Sequence, residues 1–357
     1  MEVLDHEVHL LDAVAFHLAH AGSEAPVDVE LPALARVLGQ GLGRALPTND
    51  SVESRSVQSN GTARKETLIP PLDWRLGGPQ NVNVMRGQPI AVSGGTSRLM
   101  GECWRSGDAR ATVVLLHSGG TDRRSWYDVA DRLASTATIV AYDRRGFGET
   151  GPPTTPFSHL DDLMAVLDAV ADRPAWLVGS SAGGRLALDA TLAQPGRVAG
   201  LVLLAPAVSG APVPSPDPAS DRLDRLREAA LAAGDLDAAN RWDTWLWLDG
   251  PAEPEGRVSG PTRDLALAMN AIVLRDRRPE LVVVGETDAW ARLPEVNVPA
   301  MVVCGDRDVP FLRDRCAELA RRLPQGRHRV VAGAAHGPQL EQPEVVAQLI
   351  GEALSGR

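Results

Sequence analysis

Short apolar runs recur along the chain from about Gln88 onward, at Thr112–Leu116, Thr138–Tyr142, Ala175–Val178, Val198–Leu204, Met301–Cys304 and Arg329–Val331. Each is too short for a core helix and reads as a strand buried in a sheet. Amphipathic stretches separate most of them, at Asp122–Ala134, Leu160–Ala171, Gly183–Gln194 and Phe311–Leu323. Strand and helix in alternation predict an α/β fold with a mostly parallel sheet and helices on both faces. One interval breaks the rhythm. Residues 209–295, Pro-rich and then helical, are too long for an ordinary connection and read as a helical cap. The core is then 88–208 together with 296–357.

Ahead of the core the pattern differs. Residues 1–46 read as an N-terminal helical extension of two helices, Val3–Ala19 and Leu31–Leu46, and 47–87 as a linker, partly disordered, whose Pro47–Thr67 part is polar and without apolar period. The first helix carries Val3, Leu4, Val8, Leu11, Val14, Ala15 and Leu18. So wide an apolar set needs cover, from the core or from a second copy in a homodimer. His6, His9, His17 and His20 share one side of that helix with no acid to complete a ligand set, so they read as a solvated or partner-facing stripe and no metal is expected.

Composition narrows the function classes. A formal charge of −10 gives no basic field, so neither nucleic acid nor an anionic membrane is an expected partner. No apolar stretch is long enough to span a bilayer, and the N-terminus lacks the basic and apolar regions of a secretory leader. Cys103, Cys304 and Cys316 are odd in number and widely spaced, which speaks against a disulfide framework or a zinc site and for the cytoplasm. Lys65 is the only lysine among 36 basic residues, a bias like that of high-GC bacterial genes.

The chemistry concentrates in three places. Gly179-Ser180-Ser181-Ala182-Gly183 is a G-x-S-x-G pentapeptide between a buried strand and a helix. That context makes it a nucleophile elbow: a strained turn lifts the Ser181 hydroxyl above the sheet, and small residues on either side let strand and helix approach. A serine hydroxyl needs a base within hydrogen-bond reach, and the base needs an acid to hold its tautomer. His336, in the loop after the last strand, is the expected base. Asp308 follows the Met301–Cys304 strand and is the favoured acid; Asp306 competes, but directly after Gly305 it is better placed to stabilise the turn. An oxyanion would be held by the N–H of Ala182 and by a second donor in His117-Ser118-Gly119-Gly120, Gly119 first and Gly120 next. His117 itself reads as a structural hydrogen-bonding residue.

With these residues in place, the chain from about Gln88 to Ala353 resembles the α/β-hydrolase superfamily, and within it bacterial esterases and 3-oxoadipate enol-lactonase-like hydrolases. The resemblance rests on LLHSGGTDRRSW, AYDRRGFGET, LVGSSAGGRLAL, VVCGDRDVP and AGAAHGPQLEQPE, in that order. Ser118 departs from it, since relatives usually carry glycine after the histidine. The resemblance implies a serine hydrolase acting through an acyl-enzyme on a small ester or lactone, without cofactor. C–C bond hydrolysis, cofactor-free perhydrolysis and non-catalytic ligand binding remain the alternatives. Epoxide hydrolases and haloalkane dehalogenases use a carboxylate at this elbow. Caps in this fold lie over the serine, which makes Trp242, Trp245 and Trp247 candidate pocket residues.

Overall fold

The structure is a computed structural model that describes residues 87–356 apart from Gly95, Thr96, residues 106–108, Arg110, Pro216 and Glu286. The expected N-terminal helices, their histidine stripe and dimer contact, and the linker lie outside the described residues.

Eight strands form one sheet: β1 (Gln88–Gly94), β2 (Ser97–Trp104), β3 (Thr112–Leu116), β4 (Thr138–Tyr142), β5 (Ala175–Ser180), β6 (Val198–Leu204), β7 (Ala300–Gly305) and β8 (Gly326–Val331). Their order across the sheet is β1-β2-β4-β3-β5-β6-β7-β8. The first two are antiparallel and the remaining pairs parallel. Six of these strands coincide with the apolar runs. The β1–β2 hairpin at the edge does not, because its residues alternate between half-exposed and buried and carry Gln88, Ser93, Arg98 and Glu102.

The pleat divides the core in two. Val114, Leu116, Val140, Leu177, Leu201, Leu203 and Val302 face one layer, packed by α2 (His159–Val170), α3 (Ala182–Ala193), α7 (Ala289–Arg292) and α8 (Pro310–Arg322). Val113, Leu115, Ile139, Val178, Val202, Leu204 and Val303 face the other, packed by α1 (Tyr127–Leu133) and α10 (Pro343–Leu354). Neighbouring residues thus point to opposite layers, as the two-residue period of a strand requires. Both faces being covered explains why the strands read as unbroken apolar runs.

The cap consists of α4 (Pro218–Ala232), α5 (Leu236–Thr244), a π-helical turn at Trp245–Asp249 and α6 (Pro261–Asp276). The expected helix Asp122–Ala134 begins instead as a 3₁₀ turn, Arg123–Trp126, with Asp122 as its cap.

At the elbow, glycine is a steric requirement. A Cβ on Gly183 would collide with the carbonyl oxygens of Leu116 and His117, and one on Gly179 with the backbone of Gly183 and Gly184. Backbone cannot yield as a side-chain tip can. Gly183→Ala is therefore expected to cost about 2–3 kcal/mol of stability in urea unfolding, the upper range for overpacking, and to lower turnover by displacing the end of β3.

Candidate active site

Ser181 occupies the turn between β5 and α3 with φ 51° and ψ −113°, one of two non-glycine residues at positive φ among the described residues. The turn is fixed by its own backbone. Ser181 donates its N–H to Leu204 O at 2.8 Å, and its carbonyl accepts from Arg185 and Ala207, each at 3.1 Å. These bonds hold a conformation that costs of order 1–3 kcal/mol and leave the side chain in the lining of a cavity.

His336 lies in the loop between β8 and α9 (Pro338–Glu341), and its Nδ1 is 2.9 Å from Asp308 Oδ2. The other Asp308 oxygen, Oδ1, accepts the Val309 N–H at 2.7 Å, and the carboxylate is wholly buried. Asp306 is placed differently: exposed, its Oδ1 accepts the Gly333 N–H at 2.7 Å, tying the acid loop to the histidine loop. The two loops can lie this close because residue 305 is glycine; a Cβ there would strike the carbonyls of Ala334 and Ala335.

Further partners hold the histidine loop. His336 donates its N–H to Trp247 O at 3.2 Å, Ala335 N–H donates to Glu341 Oε1 at 2.8 Å, and Arg257 Nη1 donates to Gly333 O at 2.8 Å. Arg257 also pairs with Glu341. Burial pushes the Glu341 carboxyl above the usual range, and the Arg257 guanidinium opposes that rise. Arg257 and Glu341 were not singled out from the sequence, since an Arg-rich chain hides a single structural arginine.

On the other side of Ser181, His117 is fully buried. Its Nε2 accepts the Arg144 N–H at 3.1 Å, so Nδ1 carries the proton and donates to Ser118 O at 2.8 Å. Arg144 Nη2 reaches the same carbonyl at 2.9 Å. The loop carrying Gly119 and Gly120 is thus pinned by the Asp143-Arg144-Arg145 segment after β4. Ser118 is accommodated by Thr121, whose Oγ1 is 3.0 Å from its hydroxyl and 3.2 Å from its amide. Among the described residues no acceptor takes the N–H of Gly119, Gly120 or Ala182.

Ser181, His336, Gly119 and Gly120 line one cavity of about 120 Å³ whose outer wall is the cap. Of the three tryptophans expected there, Trp247 lines it, with its ring 4.8 Å from that of His336. Trp242 and Trp245 do not. They pack on each other at 6.0 Å beside Arg241 and Arg222. Residues three apart share a helix face, whereas 245 and 247, two apart in the π-helical turn, point to opposite sides, so one face cannot hold all three.

The cap wall is mixed, with Leu248, Ala266, Val273 and Leu274 beside a polar group. Asn270 Nδ2 donates to Asn240 Oδ1 at 3.0 Å and to Asp243 Oδ2 at 3.1 Å, while Asn240 Nδ2 donates to Leu267 O at 3.0 Å. Arg227 stands 3.7 Å from both Asp224 and Asp243. Burial pushes the Asp243 carboxyl above the usual carboxylate range, against the pull of Arg227. Among the described residues no group of three or more His, Cys, Asp and Glu is arranged to hold a metal, and no helix is long and apolar enough to cross a membrane.

Residues 113–349 match the model of the alpha/beta hydrolase family. The chain is 31% identical over 261 residues to a pimeloyl-acyl-carrier-protein methyl ester esterase of Neisseria meningitidis serogroup C, covering 70% of this chain and 95% of that one. It is 26% identical over 262 residues to a Bacillus subtilis (strain 168) protein provisionally named a 2-succinyl-6-hydroxy-2,4-cyclohexadiene-1-carboxylate synthase, covering 70% and 92%. In fold it is similar to the enol-lactonase of Burkholderia xenovorans LB400, with TM-score 0.58 and 21% identity over 75% of this chain and all of that one.

Proposed function

Since the chain belongs to the alpha/beta hydrolase family, we propose that it is a serine hydrolase cleaving a small carboxylic ester or lactone through an acyl-enzyme on Ser181. One observation carries the reading: a serine held at positive φ on an elbow and a histidine paired with a buried aspartate line the same cavity. The methyl ester esterases among its relatives support ester chemistry in particular.

In this reading Ser181 Oγ attacks the ester carbonyl carbon while His336 Nε2 takes the hydroxyl proton. Asp308 holds Nδ1–H and stabilises the imidazolium that forms. The carbonyl oxygen becomes an oxyanion, met by the N–H groups of Ala182 and Gly119 and by the positive end of α3. Gly119 is preferred to Gly120 because Gly120 is faced by the Asn270 side chain. His336 then gives its proton to the leaving alkoxide. Water attacks the acyl-enzyme with His336 again as base, releasing the carboxylic acid and restoring the serine.

The test is active-site labelling with a fluorophosphonate, joined to pre-steady-state hydrolysis of p-nitrophenyl acetate. One label per chain on the Ser181 peptide and a burst of one equivalent of nitrophenol are expected. Turnover without a burst and with no label at Ser181 would overturn the reading. Binding of esters, lactones and diketones without any turnover would instead point to a ligand-binding relative.

A further inference from the structure

The cap wall holds an acceptor that the proposed chemistry does not use. Asn270 is 7% exposed, and both of its amide hydrogens are committed, one to Asn240 and one to Asp243. That commitment fixes which way the amide is turned. Reversing it would set its oxygen against the carbonyl oxygen of Asn240 and the carboxylate of Asp243, where no donor is left to separate them. Oδ1 therefore faces the oxyanion loop, 3.3 Å from where a Cβ on Gly120 would sit, in the lining of the cavity that holds Ser181. Among the described residues no protein donor reaches that oxygen, so it opens into the cavity as an acceptor that water serves until a ligand donor displaces the water.

The position says which part of a substrate reaches it. The leaving oxygen must meet His336 to be protonated, so the alcohol portion lies towards His336 and its Trp247 wall. That leaves the acyl chain the side of the oxyanion loop, where Asn270 faces Gly120. Resting on the serine-hydrolase reading, we propose that Asn270 is a specificity-determining residue whose Oδ1 accepts a hydrogen bond from a hydroxyl on the α or β carbon of the acyl chain. The ligand group is a neutral donor and not an anion, because Oδ1 can only accept; of the two arginines lining the cavity, Arg227 stands between Asp224 and Asp243, and Arg277 also acts on the Asp243 carboxyl. Asn240, through Leu267 O, and Asp243 are positioning residues that keep the amide turned.

The experiment compares matched methyl esters by proton release: 3-hydroxybutanoate with butanoate, lactate with propanoate, and monomethyl succinate as the anionic control. The wild-type chain is expected to favour the hydroxylated member of at least one pair by about tenfold or more in kcat/KM. Asn270→Leu is expected to bring that ratio close to one. Because the leucine also leaves Asn240 and Asp243 without their donor and can unfold the cap, the decisive companion is calorimetry on Ser181→Ala with Asn270 intact. There the hydroxylated ester should bind about tenfold more tightly than its deoxy partner, whether or not the chain hydrolyses esters. Equal affinities, a wild-type ratio near one in both pairs, or preference for monomethyl succinate would overturn the inference. Ser181 labelling with equal rates would do so while leaving the serine-hydrolase reading intact; a tenfold binding preference without labelling would sink that reading alone.

Discussion

Ser181→Ala is expected to lower kcat for p-nitrophenyl acetate by about 10⁴-fold or more, with stability in urea changed by less than about 1 kcal/mol. The size follows from what remains. Without Oγ there is no acyl-enzyme, and the residual rate is attack by water, aided by whatever the oxyanion donors supply. Stability is spared because Ser181 contributes to the turn through its backbone: the bonds to Leu204, Arg185 and Ala207 are all main-chain bonds. Alanine also adopts positive φ only under strain, as serine does, so the conformational cost is nearly unchanged. A variant retaining more than a tenth of wild-type activity would remove Ser181 from the chemistry. A variant that is inactive but grossly destabilised would show only that the turn had been disturbed, and Ser181→Cys, which keeps a nucleophile and labels with iodoacetamide, would then decide.

The elbow was legible in the sequence because everything it needs is local: a strand, a tight turn and a helix within about twenty residues, with glycines where a Cβ would strike backbone. The histidine and aspartate loops were legible for a related reason, since each follows directly on an apolar run. What escaped depends on tertiary packing. Gln88–Trp104 forms an edge hairpin whose polar residues hide its period. Asn270 looks like an ordinary polar residue of a cap helix until α5 brings Asn240 and Asp243 against it. Trp247 could not be told from Trp242 and Trp245 by composition; the direction of each ring depends on the π turn that follows Thr244.

Asp308→Asn is expected to lower kcat by about 10⁴-fold, while Asp306→Asn leaves kcat within about threefold of wild type and stability within about 0.5 kcal/mol. The asymmetry can be derived from the hydrogen bonds. Asp308 serves two donors at once, His336 Nδ1–H through Oδ2 and the Val309 N–H through Oδ1. Asparagine has one oxygen, and the backbone N–H of Val309, buried and without an alternative, claims it. The amide NH₂ then faces His336 Nδ1, which must accept. The imidazole proton moves to Nε2, the nitrogen that has to take the proton from Ser181, and the base is disabled without any atom moving far. Asp306 serves one donor, the Gly333 N–H, and an asparagine oxygen can serve it as well. Measuring kcat and urea unfolding on both variants separates the roles. An Asp306→Asn variant that loses activity while Asp308→Asn keeps it would exchange the two acids, and equal losses without unfolding would mean that the histidine's tautomer is governed by the loop as a whole and by neither carboxylate alone.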